Sequence, residues 1–278
     1  MTYSIVARDA STGELGVAVQ SQAFNTGAVV PWARPGVGAI ATQSFTDPRY
    51  GWRGLELLAG GRSPRDALDE LLAADEERDF RQVAFLDASG RTAQHTGAGC
   101  VPAAGNAAGD GWAAQGNMLA ADAWHAMGAA FEATEGTLGR RLMAALDAAE
   151  AEGGDWRGRG GAGIVVVPAQ GDPWERVVDL RVEEGDDSLV ELRRLLQRAE
   201  AYRAAHRAVR RAEIGRAGGL PETYVTWLEL LDAATDGDVE RGRTALARLE
   251  AANPGWRDLA RTIAKHPEGP PTADILAE

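Results

Sequence analysis

Cysteine and lysine are almost absent: Cys100 and Lys265 are the only ones in 278 residues. A single thiol excludes an intrachain disulfide and any site built from several thiolates. The four histidines show neither H-x-H nor H-E-x-x-H spacing, so no metal and no cofactor is expected. No apolar run approaches the ~18 residues that a membrane helix needs. No basic segment followed by an apolar run marks the N-terminus. Positive charge is scarce: 29 Lys plus Arg against 41 Asp plus Glu leave a net charge of −12. Such a surface repels phosphates and anionic lipid, so neither nucleic acid nor membrane is an expected partner. A cytoplasmic homo-oligomer acting on a small molecule is the expectation.

What is present begins with a hairpin. Tyr3 to Arg8 and Glu14 to Gln20 are rich in β-branched and aromatic residues, and Gly13 lies in the intervening turn. Leu15, Val17 and Val19 alternate with Gly16 and Ala18, which predicts a strand buried on both faces. Val37 to Gln43 reads as a further strand of the same sheet. Asp47-Pro48 and Ser63-Pro64 open two helices. Gln82 to Asp87 and Arg91 to Thr96 flank a second turn, CVPAAGNAAGDGW reads as loop, and Trp112 to Asn117 as a short strand. Two helices, about Ala121 to Phe131 and Thr137 to Glu150, precede a last hairpin of Gly163 to Val167 and Arg176 to Val182. This order specifies an α+β fold with mostly antiparallel strands.

From Ser188 the composition turns helical, which places a first domain at residues 1–187 and an α-helical extension at 188–278. Ser188 to Arg216 carries Leu189, Leu192, Leu195 and Leu196 at helical spacing. Three more helices follow: Pro221 to Ala234, Val239 to Ala251 and Trp256 to Lys265. GDVERGRTALARLEAANPGW resembles one tetratricopeptide-type unit, which cannot bury its own face, so no separate core is expected here. The Pro-rich tail reads as loose.

SIVARD, TGELGVAVQS, VPWARPGVGAIATQS, QGNMLA and VDLRV together resemble a bacterial family known as domain of unknown function 1028, over roughly Thr2 to Leu196. That family is placed in the N-terminal nucleophile (Ntn) hydrolase superfamily. The resemblance implies a four-layer αββα sandwich and an amidohydrolase. Its nucleophile would be Thr2, exposed by removal of Met1. An N-terminal amine, with an unperturbed pKa of ~8, can take the hydroxyl proton. Proteasome relatives pair the threonine with a lysine on a following strand. This chain has no lysine there; the nearest cation is Arg34, which cannot act as a base.

The remaining candidates come from polar residues at strand ends and in loops. Asn117, beside Gly116, is the candidate oxyanion donor. Gln43 and Ser44 close the third strand, and Arg157 and Arg159 stand in a glycine-rich loop suited to a small anion. Asp179 and Arg181 share a strand face, either as a substrate clamp or as a structural pair. Ser4 and Ser21 are the fallback hydroxyls, and His95 and His125 stand alone. Thr2, Gln43, Asn117 and one of Arg34, Arg157 or Arg159 are expected to converge at one end of the fold. The competing reading is a non-catalytic relative that binds or scaffolds partners.

Overall fold

The structure, a computed structural model, describes residues 2–119, 123–209, 219–266, 269 and 272–276. The predicted hairpin is its centre. β1 (Thr2–Arg8) and β2 (Leu15–Ser21) pair antiparallel, with Thr2 opposite Ser21 and Arg8 opposite Leu15. Gly13, at φ 72°, reverses the chain. The Asp9 carboxylate accepts the Ser11 and Thr12 backbone N–H groups and so fixes the turn. On either side stand β8 (Trp112–Asn117) and β9 (Gly161–Val167), extended by β7 (Gly105–Gly109) and β10 (Val178–Val182). The resulting antiparallel sheet has the order β10-β9-β2-β1-β8-β7.

A second antiparallel sheet has the order β3-β4-β5-β6, made of β3 (Pro31–Arg34), β4 (Gly38–Ser44), β5 (Arg81–Asp87) and β6 (Thr92–Thr96). Val37 to Gln43 therefore does form a strand, but not in the hairpin's sheet. Both faces of β4 are apolar, so its composition suits either sheet. The tight turn through Gly36 (φ 66°) pairs it instead with PWAR, an edge strand not expected from the sequence. Gly38 is needed there, since a Cβ would come within 2.5 Å of the Leu86 carbonyl oxygen. GNAAG, expected as loop, is likewise an edge strand; its small residues carry no strand signal of their own.

Alternation decides what each face meets. Val6, Leu15, Val17 and Val19 turn toward the second sheet and meet Ala33, Ala39, Ala41, Ala84 and Leu86. Tyr3, Ile5 and Ala18 turn the other way, beneath α4 (Ala123–Ala133) and α5 (Leu138–Ala151). Ile40, Val83 and Phe85 on the far face of the second sheet pack under α2 (Pro48–Ala59) and α3 (Pro64–Ala73). Asp47 and Ser63 cap α2 and α3 as their positions predict. A four-residue helix, α1 (Thr26–Val29), follows β2.

The chain divides into two compact units after Leu196, within α6 (Ser188–Val209). Composition changes earlier, at Ser188, but Leu189, Leu192 and Leu196 belong to the core of the first unit. Arg210 to Gly218, where the predicted helix was to end, lie outside the described residues, as do Met1 and Ala121. The second unit contains α7 (Glu222–Asp236), α8 (Val239–Ala252), α9 (Gly255–Ala264) and α10 (Ala273–Leu276). Contrary to the expectation from sequence, it has its own core. Trp227, Leu230, Ala245, Leu246 and Leu249 are covered by Ala260 of α9 and Ile275 of α10. The tail is correspondingly not loose at Ala273–Leu276, where Ile275 packs beside Gly242.

Removing the Ile275 side chain opens this small core. Ile275→Ala is expected to cost the helical unit about 2–4 kcal/mol. Native-state hydrogen exchange of α8 amides checks this: protection falls there and stays unchanged in β1 and β2.

Candidate active site at the Thr2 end

The space between the sheets is apolar at one end and polar at the other. Along β1 the residues facing inward are Val6, Ser4 and Thr2 in turn, so polarity grows toward the strand's first residue. Ser4, Gln43, Gln82 and Gln115 are fully buried, and Asn117 nearly so. Burying such amides without partners is costly, so their bonds fix their positions. Ser4 Oγ donates to Gln43 Oε1 at 2.7 Å. Gln43 Nε2 donates to the Thr2 carbonyl oxygen at 3.1 Å and to Gln82 Oε1 at 2.8 Å. Asn117 Nδ2 donates to the same Gln82 oxygen at 2.9 Å. Gln82 Nε2 in turn donates to the Gly116 carbonyl oxygen at 2.8 Å. Gln82 thus ties β5 of one sheet to β8 of the other.

Thr2 stands at the open end of this network. In register it lies between Ser21 on β2 and Asn117 on β8. Antiparallel partners have Cα atoms about 4.5–5.5 Å apart. Thr2 Oγ1 donates to Ser21 Oγ at 3.0 Å. Ser21 Oγ also accepts the Ala23 backbone N–H at 3.2 Å and Arg157 Nη2 at 3.5 Å. Arg157 is held by Asp155, whose fully buried carboxylate also accepts the Gln22 backbone N–H at 2.9 Å.

Gln43 reaches Thr2, but from the facing sheet rather than from a strand of the same sheet. Asn117 arrives from the adjacent strand of the same sheet. Arg157 is the candidate arginine that the structure brings to this end, through Ser21. Arg34 lies at the opposite end of β4, opposite Gly38, and pairs with Glu56 at 2.8 Å. Arg159 is on the helix-covered face, between Glu150 at 3.6 Å and Asp187 at 3.1 Å. Asp179 and Arg181 pair with each other at 3.2 Å on β10, with β9 and β2 between them and β1. Gly116 makes room for Leu119 rather than for a ligand: a Cβ would lie 2.3 Å from Leu119 Cδ1. His95 bonds the Arg78 carbonyl, and His125 lies against Trp124. Among the described residues, no group of His, Cys, Asp and Glu is arranged to hold a metal, and no helix is long and apolar enough to cross a membrane.

Gln82 and Asp155 carry no distinguishing signal in the sequence. Each is a polar residue at the edge of a segment that is otherwise apolar or glycine-rich, a signal too common to single them out. A further mark of this end is backbone strain. Asn25, Ser44 and Met118 are the described non-glycine residues with positive φ, at 61°, 70° and 60°. Asn25 follows β2, Ser44 closes β4 and Met118 follows β8, all at the Thr2 end. Left-handed backbone costs a non-glycine residue roughly 1–2 kcal/mol, and such strain concentrates at functional sites.

Charges around the site are paired. Arg81, at the start of β5, donates to Asp75 at 2.8 Å and to the Phe45 carbonyl oxygen at 2.7 Å. Burial pushes the Asp75 carboxyl up, but bonds from Arg81, the Glu77 N–H and the Tyr50 hydroxyl outweigh it and hold it below the usual range. Asp47 is lowered in the same way, burial being outweighed by Arg49 and Arg81. On the other face, burial and then Glu150 push the Tyr3 hydroxyl far up, so it stays a donor to Glu150 Oε2, at 3.0 Å.

Two outcomes follow from these contacts. Gln82→Leu removes the acceptor shared by the Asn117 and Gln43 amide N–H groups and the side-chain donor to the Gly116 carbonyl. At about 1–3 kcal/mol for each buried N–H left unpaired, the loss in unfolding free energy by denaturant titration is expected to reach ~3 kcal/mol or more. Because the folded pKa values of Asp75 and Asp47 lie below their unfolded value of ~3.9, their stabilisation is present above that pH. It is lost as pH falls through the folded values. The denaturant midpoint should therefore drop below about pH 4, and Asp75→Asn should flatten that drop while lowering the midpoint at pH 7.

With this geometry in hand, residues 2–192 match a family described as a family of unknown function, DUF1028. The crystal structure of protein SPO2555 from Silicibacter pomeroyi, described with the same family, is similar to this chain at 32% identity and a TM-score of 0.65. The similarity covers 71% of this chain and 88% of that one. No curated protein matches the chain.

Proposed function

The chain belongs to the DUF1028 family, and we propose that it is an amidohydrolase of the Ntn type that cleaves a small amide. The observation that carries the reading is the placement of Thr2. It starts a central strand, its hydroxyl is bonded to Ser21, and Asn117 stands opposite it in register. Two antiparallel sheets with a helix pair outside each are what the four-layer αββα sandwich of that superfamily requires. Within GDVERGRTALARLEAANPGW, a helix, α8, whose Ala245 and Leu249 pack with Trp227, Leu230 and Ala260, followed by a turn into α9, supports the tetratricopeptide-like reading of that segment.

In this mechanism, removal of Met1 frees the Thr2 amine. Thr2 Oγ adds to the amide carbonyl carbon while the amine takes its proton. The second N–H of Asn117 Nδ2, the one not used by Gln82, donates to the oxyanion. The amine then protonates the leaving nitrogen, the C–N bond breaks, and an acyl ester on Thr2 remains. Water hydrolyses that ester to a carboxylic acid and restores the hydroxyl. The Arg157 guanidinium favours the neutral amine that can act as base.

The non-catalytic reading draws on a different observation: Gln43, Gln82 and Asn117 satisfy one another without a ligand. A screen of small amides separates the two. Wild-type protein should turn over at least one amide. Thr2→Val, which keeps the shape and removes the hydroxyl, should lose on the order of 10³-fold or more in kcat/KM. Turnover that survives Thr2→Val contradicts the assignment of the nucleophile.

A further inference from the structure

Exposed aromatic rings are unevenly distributed in the first unit. The described phenylalanines and tryptophans that face solvent are Phe24, Phe45, Trp52, Phe80, Trp156 and Trp174. Four of them stand at the Thr2 end. Phe24 follows β2, whose Ser21 is opposite Thr2. Phe45 follows β4 and Phe80 precedes β5, where Ser44 and Arg81 are opposite each other. Trp156 adjoins Asp155, which holds Gln22 and Arg157. Each of the four positions thus follows or precedes a strand end, or adjoins a residue bonded beside one, at the end of the sheets where β1 starts.

These rings are 69% (Phe24), 59% (Phe45), 45% (Phe80) and 70% (Trp156) exposed. Two of them adjoin the strained backbone: Asn25 follows Phe24, and Ser44 precedes Phe45. Phe45 and Phe80 meet edge to face with centroids 5.5 Å apart, and Arg81 anchors the Phe45 carbonyl. Phe45, between a strained Ser44 and the Arg81 bond and against Phe80, is unlike a scattered surface residue. The arginines among them are all paired, Arg157 with Asp155, Arg81 with Asp75 and Glu77, and Arg49 with Asp47, so carboxylates outnumber them. The end therefore offers apolar, π-rich walls and no unpaired arginine to attract an anion, around a few polar groups. That combination binds an uncharged, apolar ligand with one polar function.

We propose that Phe24, Phe45, Phe80 and Trp156 form an acceptor rim for the substrate, which is a neutral amide carrying an aromatic or extended apolar group. The proposal rests on the amidohydrolase reading for the amide function, but the rim's preference can be measured without turnover. The amide is held at Thr2 and Asn117, and the apolar group lies against the rings. Stacking and area burial by a phenyl group give a preference of roughly tenfold or more over the parent amide.

The test is calorimetric titration of the full-length Thr2→Val protein with 3-phenylpropanamide and with propanamide. The phenyl compound is expected to bind at least about tenfold tighter. Trp156→Ala and Phe45→Ala, each added to that background, should reduce the preference while leaving propanamide binding unchanged. Circular dichroism and light scattering on the same variants control for folding and assembly. Equal affinity for the two amides overturns the proposal. So does an unchanged preference in both alanine variants. If the variants convert a dimer to monomers and leave the preference unchanged, the rim is a surface for a second copy and the proposal fails. Tight binding of the phenyl compound with no cleavage by wild-type protein sinks the hydrolase reading and keeps the rim. Cleavage of both amides with equal kcat/KM does the reverse.

Discussion

The buried amide network between the two sheets is the constraint on which the rest depends. Stacked sheets bring side chains together without regard to sequence distance, and here they bring Gln43 and Gln82 against Ser4 and Asn117. Apolar stacking among Val6, Val17, Val19 and the facing alanines is tolerant of small slides, since one alanine resembles the next. Hydrogen bonds between fully buried amides are not. A shift of about one ångström would break bonds of 2.7–2.9 Å and leave orphaned groups in a low-dielectric interior. The network therefore sets how the sheets sit on each other at the end where Thr2 emerges.

Positioning follows from that lock. The Thr2 carbonyl is held by Gln43 and its hydroxyl by Ser21, so both the backbone and the side chain of the first described residue are fixed. Asp155 extends the hold by fastening Gln22 and Arg157 against the end of β2. The left-handed residues Asn25, Ser44 and Met118 are tolerated because these surroundings over-determine them. A site with preset donors loses little order when a substrate binds, which favours chemistry over flexible recognition.

Much of this was legible in the sequence, and the reasons for the rest are specific. The first hairpin, the WAAQGN strand and the caps at Asp47 and Ser63 are local features, and local chemistry specifies them. Sheet membership of β4 was not, because a strand buried on both faces carries no label for its sheet. The edge strands PWAR and GNAAG are formed by pairing, not by propensity. Gln43 was expected near Thr2 as an antiparallel neighbour and arrives there from the facing sheet instead, while Asn117 was expected there from the family resemblance alone. Gln82 could not be foreseen, since its role exists only across the two sheets. Arg34 drew attention by its place in the chain, yet the strand carries it to the far end. In the second unit, the core became visible only when α9 and α10 closed over α8.

The central claim is that Thr2 is the working N-terminus of the protein. The most direct test is the intact mass of the purified, untagged chain, followed by its mass after brief reaction with an activated ester that transfers an acyl group. The account predicts a mass lower than that of the full 278-residue sequence by one methionine residue. It also predicts a single acyl adduct that maps to Thr2 and is absent from Thr2→Val. Retention of Met1, or an adduct formed equally in Thr2→Val, contradicts it.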